Sequence, residues 1–97
     1  MFRLIRVNGD SMSPTLNNRD YILINKPRSV RVGFIYVIQH NRLGRIVKRV
    51  SEETPQGYRL EGDNPKSTSA TDLGCVSATQ IIGRALFCIS PKGIKKL

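Results

Sequence analysis

Acidic side chains are scarce in this 97-residue sequence: seven Asp and Glu stand against sixteen Lys and Arg, a formal net charge of +9. Glycoside hydrolysis needs two carboxyl groups facing each other across a bond. Glu52 and Glu53 are instead neighbours on a polar stretch, and Asp63 sits among turn residues. Histidine occurs once, at His40, so a Ser-His-Asp triad would have to use a residue expected in an exposed hairpin loop beside Asn41 and Arg42. The two cysteines, Cys75 and Cys88, form no CxxC and no Cys/His cluster, which leaves zinc without ligands. No Gly-rich loop runs into Lys-Ser or Lys-Thr, so nucleoside triphosphate chemistry has no support. The longest apolar run, Val32–Ile38, falls far short of the roughly twenty residues that span a bilayer. The N-terminus carries a charge at Arg3 and lacks a signal-peptide core. A cytoplasmic protein with reduced thiols, no metal, no cofactor and no membrane anchor in this chain is expected.

What is present reads as strands and turns. Arg3–Val7, Tyr21–Asn25, Gly33–Gln39, Gly44–Val50, Gly57–Glu61 and Ile81–Phe87 are rich in β-branched, aromatic and aliphatic residues, and Gly, Asn, Asp, Pro and Ser separate them. Only Ser77–Gln80 could make a turn of helix. The expectation is a mostly β fold: one small coiled antiparallel sheet or barrel forming a single domain over 1–97. Its core covers about 3–88, Ile81–Phe87 closes the sheet, and the basic tail 91–97 frays. Residues 1–49 hold ten of the basic side chains and two of the acidic ones, but the basic residues alternate with apolar ones. Such a surface is either a solvated basic face or a polyanion site.

Two places could carry chemistry. In Gly9-Asp10-Ser11-Met12-Ser13-Pro14-Thr15-Leu16 a serine follows a strand and a Gly-Asp turn. That arrangement lifts a hydroxyl out of the fold, although a capped turn has the same appearance. In Gly44–Val50 the period of two puts Ile46, Lys48 and Val50 on one face and Arg45, Val47 and Arg49 on the other. The arginine face should look outward, leaving Lys48 among apolar neighbours. A free lysine titrates near about 10.4 and is no base at neutral pH. Desolvation lowers that value and frees the amine to take a proton. A lysine whose stem packs on the strand while its head reaches water is the alternative.

The stretch Ser11-Met12-Ser13-Pro14-Thr15-Leu16 resembles the Ser-Met-x-Pro-Thr-Leu box of the type I signal peptidase superfamily, and Ile46-Val47-Lys48-Arg49-Val50 resembles the box with its lysine base. Gly62-Asp63-Asn64 and Ile81-Ile82-Gly83-Arg84-Ala85 resemble its third box and terminal strand, in the family's order. The resemblance implies the catalytic core of the signal peptidase and LexA type, with a Ser11/Lys48 dyad in a serine endopeptidase. Ser11 would be the nucleophile, Lys48 the base, and the Ser11 backbone N–H part of the oxyanion hole. It implies a hydroxyl holding the lysine amine, at Thr68 by ungapped counting or Ser67 with a shift of one. Three family features are missing: a serine at the place of Gly9, the Asp-Ser-Arg brace where Ala70-Thr71-Asp72 stand, and the Gly-Asp reduced to Gly33.

Ordinary signal peptidases carry a membrane helix, and LexA-type repressors cut a segment upstream of their serine. With ten residues before Ser11, action in trans is expected. Arg6–Leu16 and Gly62-Asp63-Asn64-Pro65 look most like the nickel-type superoxide dismutase maturation proteases. That resemblance implies removal of an extended N-terminal leader from the dismutase precursor, with no nucleic-acid partner. The alternatives are a signal peptidase-like or LexA-type relative with another substrate, a dead peptidase kept as a binding module, and a non-catalytic basic β-domain. The last would bind nucleic acid through phosphate contacts and stacking on Tyr21, Tyr36 and Tyr58.

Overall fold

In Ile35–His40 every side chain except that of Gln39 is buried, so this strand is covered on both faces. Ile35 and Val37 join one apolar cluster, with Ile5, Val7, Met12, Leu16, Ile22, Ile24, Ala85 and Cys88. Tyr36 and Ile38 join a second, with Val50, Leu60, Leu73, Val76 and Ile81. The computed structural model describes residues 1–67 and 73–97 and wraps its strands around these two clusters. In chain order they are β1 (Phe2–Arg6), β2 (Tyr21–Asn25), β3 (Ile35–His40), β4 (Gly44–Thr54), β5 (Gly57–Glu61), β6 (Cys75–Val76), a 3-10 turn at Ala78–Gln80, β7 (Ile81–Ser90) and β8 (Gly93–Lys96). The chain folds as one antiparallel sheet in the order β1-β2-β7-β3-β4-β5-β6, with β8 also on β7. Among the described residues β1 and β6 do not pair, so the sheet is coiled and open, not a closed barrel.

The strand β7 does not close the sheet. It lies at the centre, pairing β2 on one edge through Arg84–Ile89 and β3 on the other through Ile81–Arg84. Its length explains this: ten residues let one strand serve both halves of the fold. The basic tail is likewise a paired strand, with Cys88 opposite Lys95 and Ile89 opposite Ile94. Lys95 Nζ also donates to the Thr15 carbonyl at 3.1 Å. Polarity suggested fraying here, but backbone pairing along the remaining length of β7 decides the conformation. For the same reason β4 runs past Val50 through polar residues to Thr54, around a bulge between Val50 and Glu52.

His40 is a second departure from the sequence reading: it is buried rather than exposed. Its Nδ1 accepts from the amides of Arg42 and Leu43, at 3.1 and 3.2 Å. Its Nε2 therefore carries the proton and donates to the Leu73 carbonyl at 2.8 Å. The ring caps the β3–β4 hairpin and is spent on backbone groups. No helix among the described residues is long and apolar enough to cross a membrane.

His40→Ala should lower folding free energy by about 1–3 kcal/mol in urea denaturation, because it leaves a buried carbonyl unpaired. The peptide cleavage that the resemblance implies should be unchanged per folded molecule, which separates this histidine from any triad.

Candidate active site

The segment between β1 and β2 forms a closed loop. Arg19 N donates to Val7 O at 2.8 Å and Val7 N to Asp20 O at 2.7 Å, tying its ends together. Within it one helical turn, Leu16 N to Met12 O at 2.9 Å, puts Met12 and Leu16 on the same side. Both are fully buried in the first cluster. Ser11 is half-buried beside this anchored methionine. Among the described residues neither its hydroxyl nor its N–H has a hydrogen-bond partner, whereas its carbonyl accepts from Asn64 N at 2.9 Å.

Asn64 belongs to the loop after β5, and this loop is fitted to Ser11. Asn64 Nδ2 donates to the Asp10 carbonyl at 2.9 Å. A Cβ on Gly62 would come within 2.5 Å of the Ser11 carbonyl oxygen and overlap the Ser67 hydroxyl. Glycine is therefore required by close approach, not by backbone conformation. Ser67 thus lies against Gly62 on the side of the Ser11 carbonyl, but it does not line the cavity of Ser11 and Lys48. Thr68 lies outside the described residues, as do Ala70, Thr71 and Asp72.

Lys48 stands on β4, opposite Tyr36 on β3, and retains only 4% of its exposure. No hydrogen bond or ion pair involves its ammonium among the described residues. Burial without a counter-charge pushes its pKa below the ordinary lysine value. Ser11 and Lys48 line one cavity of about 270 Å³, together with Ile5, Val7, Met12 and Val47. The pairing of β5 with β4 begins at Arg49, so Gly44–Lys48 keeps a free backbone edge among the described residues. β1 likewise pairs only with β2. A cleft flanked by two such edges can take an extended chain by main-chain pairing.

The face expected to point outward holds a feature that sequence reasoning missed. Val47 packs on the first cluster, and Arg49 is half-buried. Arg49 donates through Nε and Nη2 to both carboxylate oxygens of Asp63, at 2.9 and 2.7 Å, and through Nη1 to Gly33 O at 2.6 Å. Thr15 Oγ1 adds a bond of 2.6 Å to Asp63 Oδ2. The Arg49 guanidinium, with Thr15, holds the Asp63 carboxyl below its usual range, and the bond to Asp63 raises Arg49 in turn. This ion pair braces the boxes of Ser11, Lys48 and Gly62 to one another. The signal was present, an arginine next to the candidate lysine and an aspartate in the Gly-Asp-Asn box, but only folding shows that they meet.

All of these boxes lie within the part of the chain that matches a known family. Residues 2–86 match the family described as Peptidase S24-like. No curated protein matches the chain significantly.

Asp63→Asn should lower stability at neutral pH by about 1–3 kcal/mol, the worth of hydrogen bonds to a charged group. Because the folded-state pKa of Asp63 is depressed, its contribution is complete above the unfolded value near about 3.9 and is lost as pH falls through the lowered folded value. Urea titrations of both proteins should therefore converge below about pH 4.

Proposed function

We propose, from the premise that this chain belongs to the Peptidase S24-like family and is thus a serine peptidase of the LexA and signal peptidase type, that it cuts a separate precursor protein with a Ser11/Lys48 dyad. The observation that carries this reading is the shared cleft: an unpaired hydroxyl and a buried, unpaired lysine with depressed pKa line the same cavity.

An extended substrate lies between the free edges of β1 and β4 with its scissile carbonyl at Ser11. Neutral Lys48 takes the Ser11 hydroxyl proton as Oγ attacks the carbonyl carbon. The tetrahedral oxyanion is held in part by the Ser11 N–H, which has no partner of its own among the described residues. The lysine ammonium then protonates the departing amine, and the C–N bond breaks to leave an acyl-enzyme. A water molecule gives a proton to Lys48 and attacks the ester carbonyl. As that intermediate collapses the C–Oγ bond breaks, Lys48 returns the proton to Ser11 Oγ, and the acid product leaves with the neutral dyad restored. The resemblance gives the hydroxyl that holds the amine to Thr68 or Ser67. Ser67 makes no hydrogen bond to Lys48 among the described residues, so in this reading Thr68 takes that role. The substrate assignment is a leader-bearing nickel-type superoxide dismutase precursor. It rests on the resemblance of Arg6–Leu16 and Gly62–Pro65 to proteases of that kind.

Leader removal from that precursor by the wild-type chain, with activity lost by at least about a hundredfold in Ser11→Ala and Lys48→Ala, is the expected result. An intact precursor would overturn the substrate assignment, and a peptide library then tests the dyad alone. Mutants as active as wild type would overturn the dyad.

The cleavage rate should rise with pH through a value below the ordinary lysine pKa of about 10.4, since only the neutral amine accepts the proton. Lys48→Met should abolish cleavage yet unfold at the same or higher temperature, by up to about 2 kcal/mol, because a desolvated charge is replaced by an apolar group. A large loss of stability in this variant would mean that the ammonium has a stabilising partner.

A further inference from the structure

Away from the cleft, the connection from β2 to β3 curls over the middle of β7 and encloses a recess of about 270 Å³. Its cationic side chains are Lys26, Arg28 and Arg31 from the connection and Arg84 from β7, and no Asp or Glu lines it. The recess shares no lining residue with the Ser11 cleft. Both ion pairs of the described residues lie elsewhere, at Arg49–Asp63 and Arg59–Glu52, so all four cations lack a carboxylate partner.

Arg84 is the fixed member. Its backbone is paired on both sides, opposite Asn25 and Tyr36, and its guanidinium carbon sits 3.7 Å from the centroid of the Phe34 ring. None of its guanidinium N–H groups has a hydrogen-bond partner among the described residues, and Nε is fully buried. Buried donors in folded proteins are almost always satisfied, so an orphan of this kind calls for a ligand or an explanation. A guanidinium held flat on an aromatic ring keeps its N–H edge free for the oxygens of an oxyanion. The loop opposite is also held in shape. Arg31 N donates to the Tyr36 hydroxyl at 2.8 Å, Lys26 N to Asn25 Oδ1 at 3.0 Å, and Pro27 fixes its own φ.

We propose that this recess binds a phosphate group, free or as the terminal phosphate of a small ester. Four cations line one recess, none paired to a carboxylate although Glu53 lies in the adjoining recess that Lys26 and Arg28 also line. They suit a group of charge about −1.5 to −2 better than a single carboxylate. A nucleic-acid backbone presents singly charged phosphates along a line and is met by cations spread along a surface. Here the cations surround one concavity instead. Binding at this site is independent of the dyad, and its ligand need not be a peptide.

The test is NMR titration of the full chain, at constant ionic strength, with inorganic phosphate and separately with adenosine 5′-monophosphate. Saturable shifts of the Arg84 Nε–H and of the 26–31 amides are expected. Affinity should fall by at least about tenfold in Arg28→Gln and in Arg84→Gln, as for loss of a charge-assisted bond. Arg28 is exposed on the loop, so its variant reports on binding even if Arg84→Gln disturbs the sheet. Tighter binding of the monophosphate would identify an ester as the source, and equal binding would identify free phosphate. Shifts that follow chloride equally, or an Arg28→Gln protein that binds like wild type, would overturn the site. So would an oligodeoxynucleotide without terminal phosphates that binds the same residues more tightly, which would make this a nucleic-acid surface.

Discussion

The Asp63 carboxylate holds together segments that are far apart in the sequence. It receives two bonds from Arg49 on β4 and one from Thr15 in the loop after β1, while Arg49 also reaches the Gly33 carbonyl before β3. Among the described residues Asp63 is the one side chain that bonds both to the Ser11 loop, at Thr15, and to the strand of Lys48, at Arg49. The pair is only partly buried, with side-chain exposures of 33% and 17%. Full burial would have made desolvation outweigh the attraction. Full exposure would have left it screened and weak. Between those limits a bidentate arginine fixes direction as well as distance.

In the proposed dyad Lys48 lies under the opposite demand, since any carboxylate near its ammonium would raise its pKa and stop it acting as a base. Its own neighbours on the strand show how this is arranged. Arg49, one residue on and on the other face, takes the aspartate, while Lys48 stands opposite Tyr36 and lines the cavity it shares with Ser11. The alternation of a strand thus separates a structural cation from a chemical one at adjacent positions. The instability of the buried lysine is borne by the clusters around it, in which Met12, Leu16, Tyr36 and Val50 are completely enclosed. Truncating such a side chain typically costs about 2–5 kcal/mol, more than the penalty they offset.

Much of this could be read in the sequence because strands betray themselves by composition. All six expected strands exist, and the 3-10 turn falls within Ser77–Gln80. Cys75–Val76 and Gly93–Lys96 were missed because two residues, or four residues rich in lysine, carry no strand signal; their pairing with β5 and β7 is tertiary. The same limit explains His40, where burial depends on Leu73 arriving from 33 residues away. At the candidate site, motif order singled out Ser11, Lys48 and Gly62. The Arg49–Asp63 brace was not, because alternation predicts which face a side chain takes but not what covers that face. Gly62 is instructive here: its reason is the Ser11 carbonyl, a contact across 51 positions that no local rule contains.

The open sheet and the excess of positive charge belong to one physical problem. An unpaired strand edge invites any other chain to join it, and proteins guard such edges with charges. Arg3 and Arg6 on β1 and Arg45 at the start of β4 are exposed at the edges that flank the cleft. They repel the same edges of another copy of this basic chain, which carries them too. An extended substrate of ordinary composition meets no such repulsion and gains the backbone bonds. A closed barrel would have removed the edge and the hazard together, and with them the place where a substrate can lie beside Ser11. Leaving the sheet open and charging its rim keeps the cleft accessible to an extended segment while discouraging pairing with the same edges of another copy.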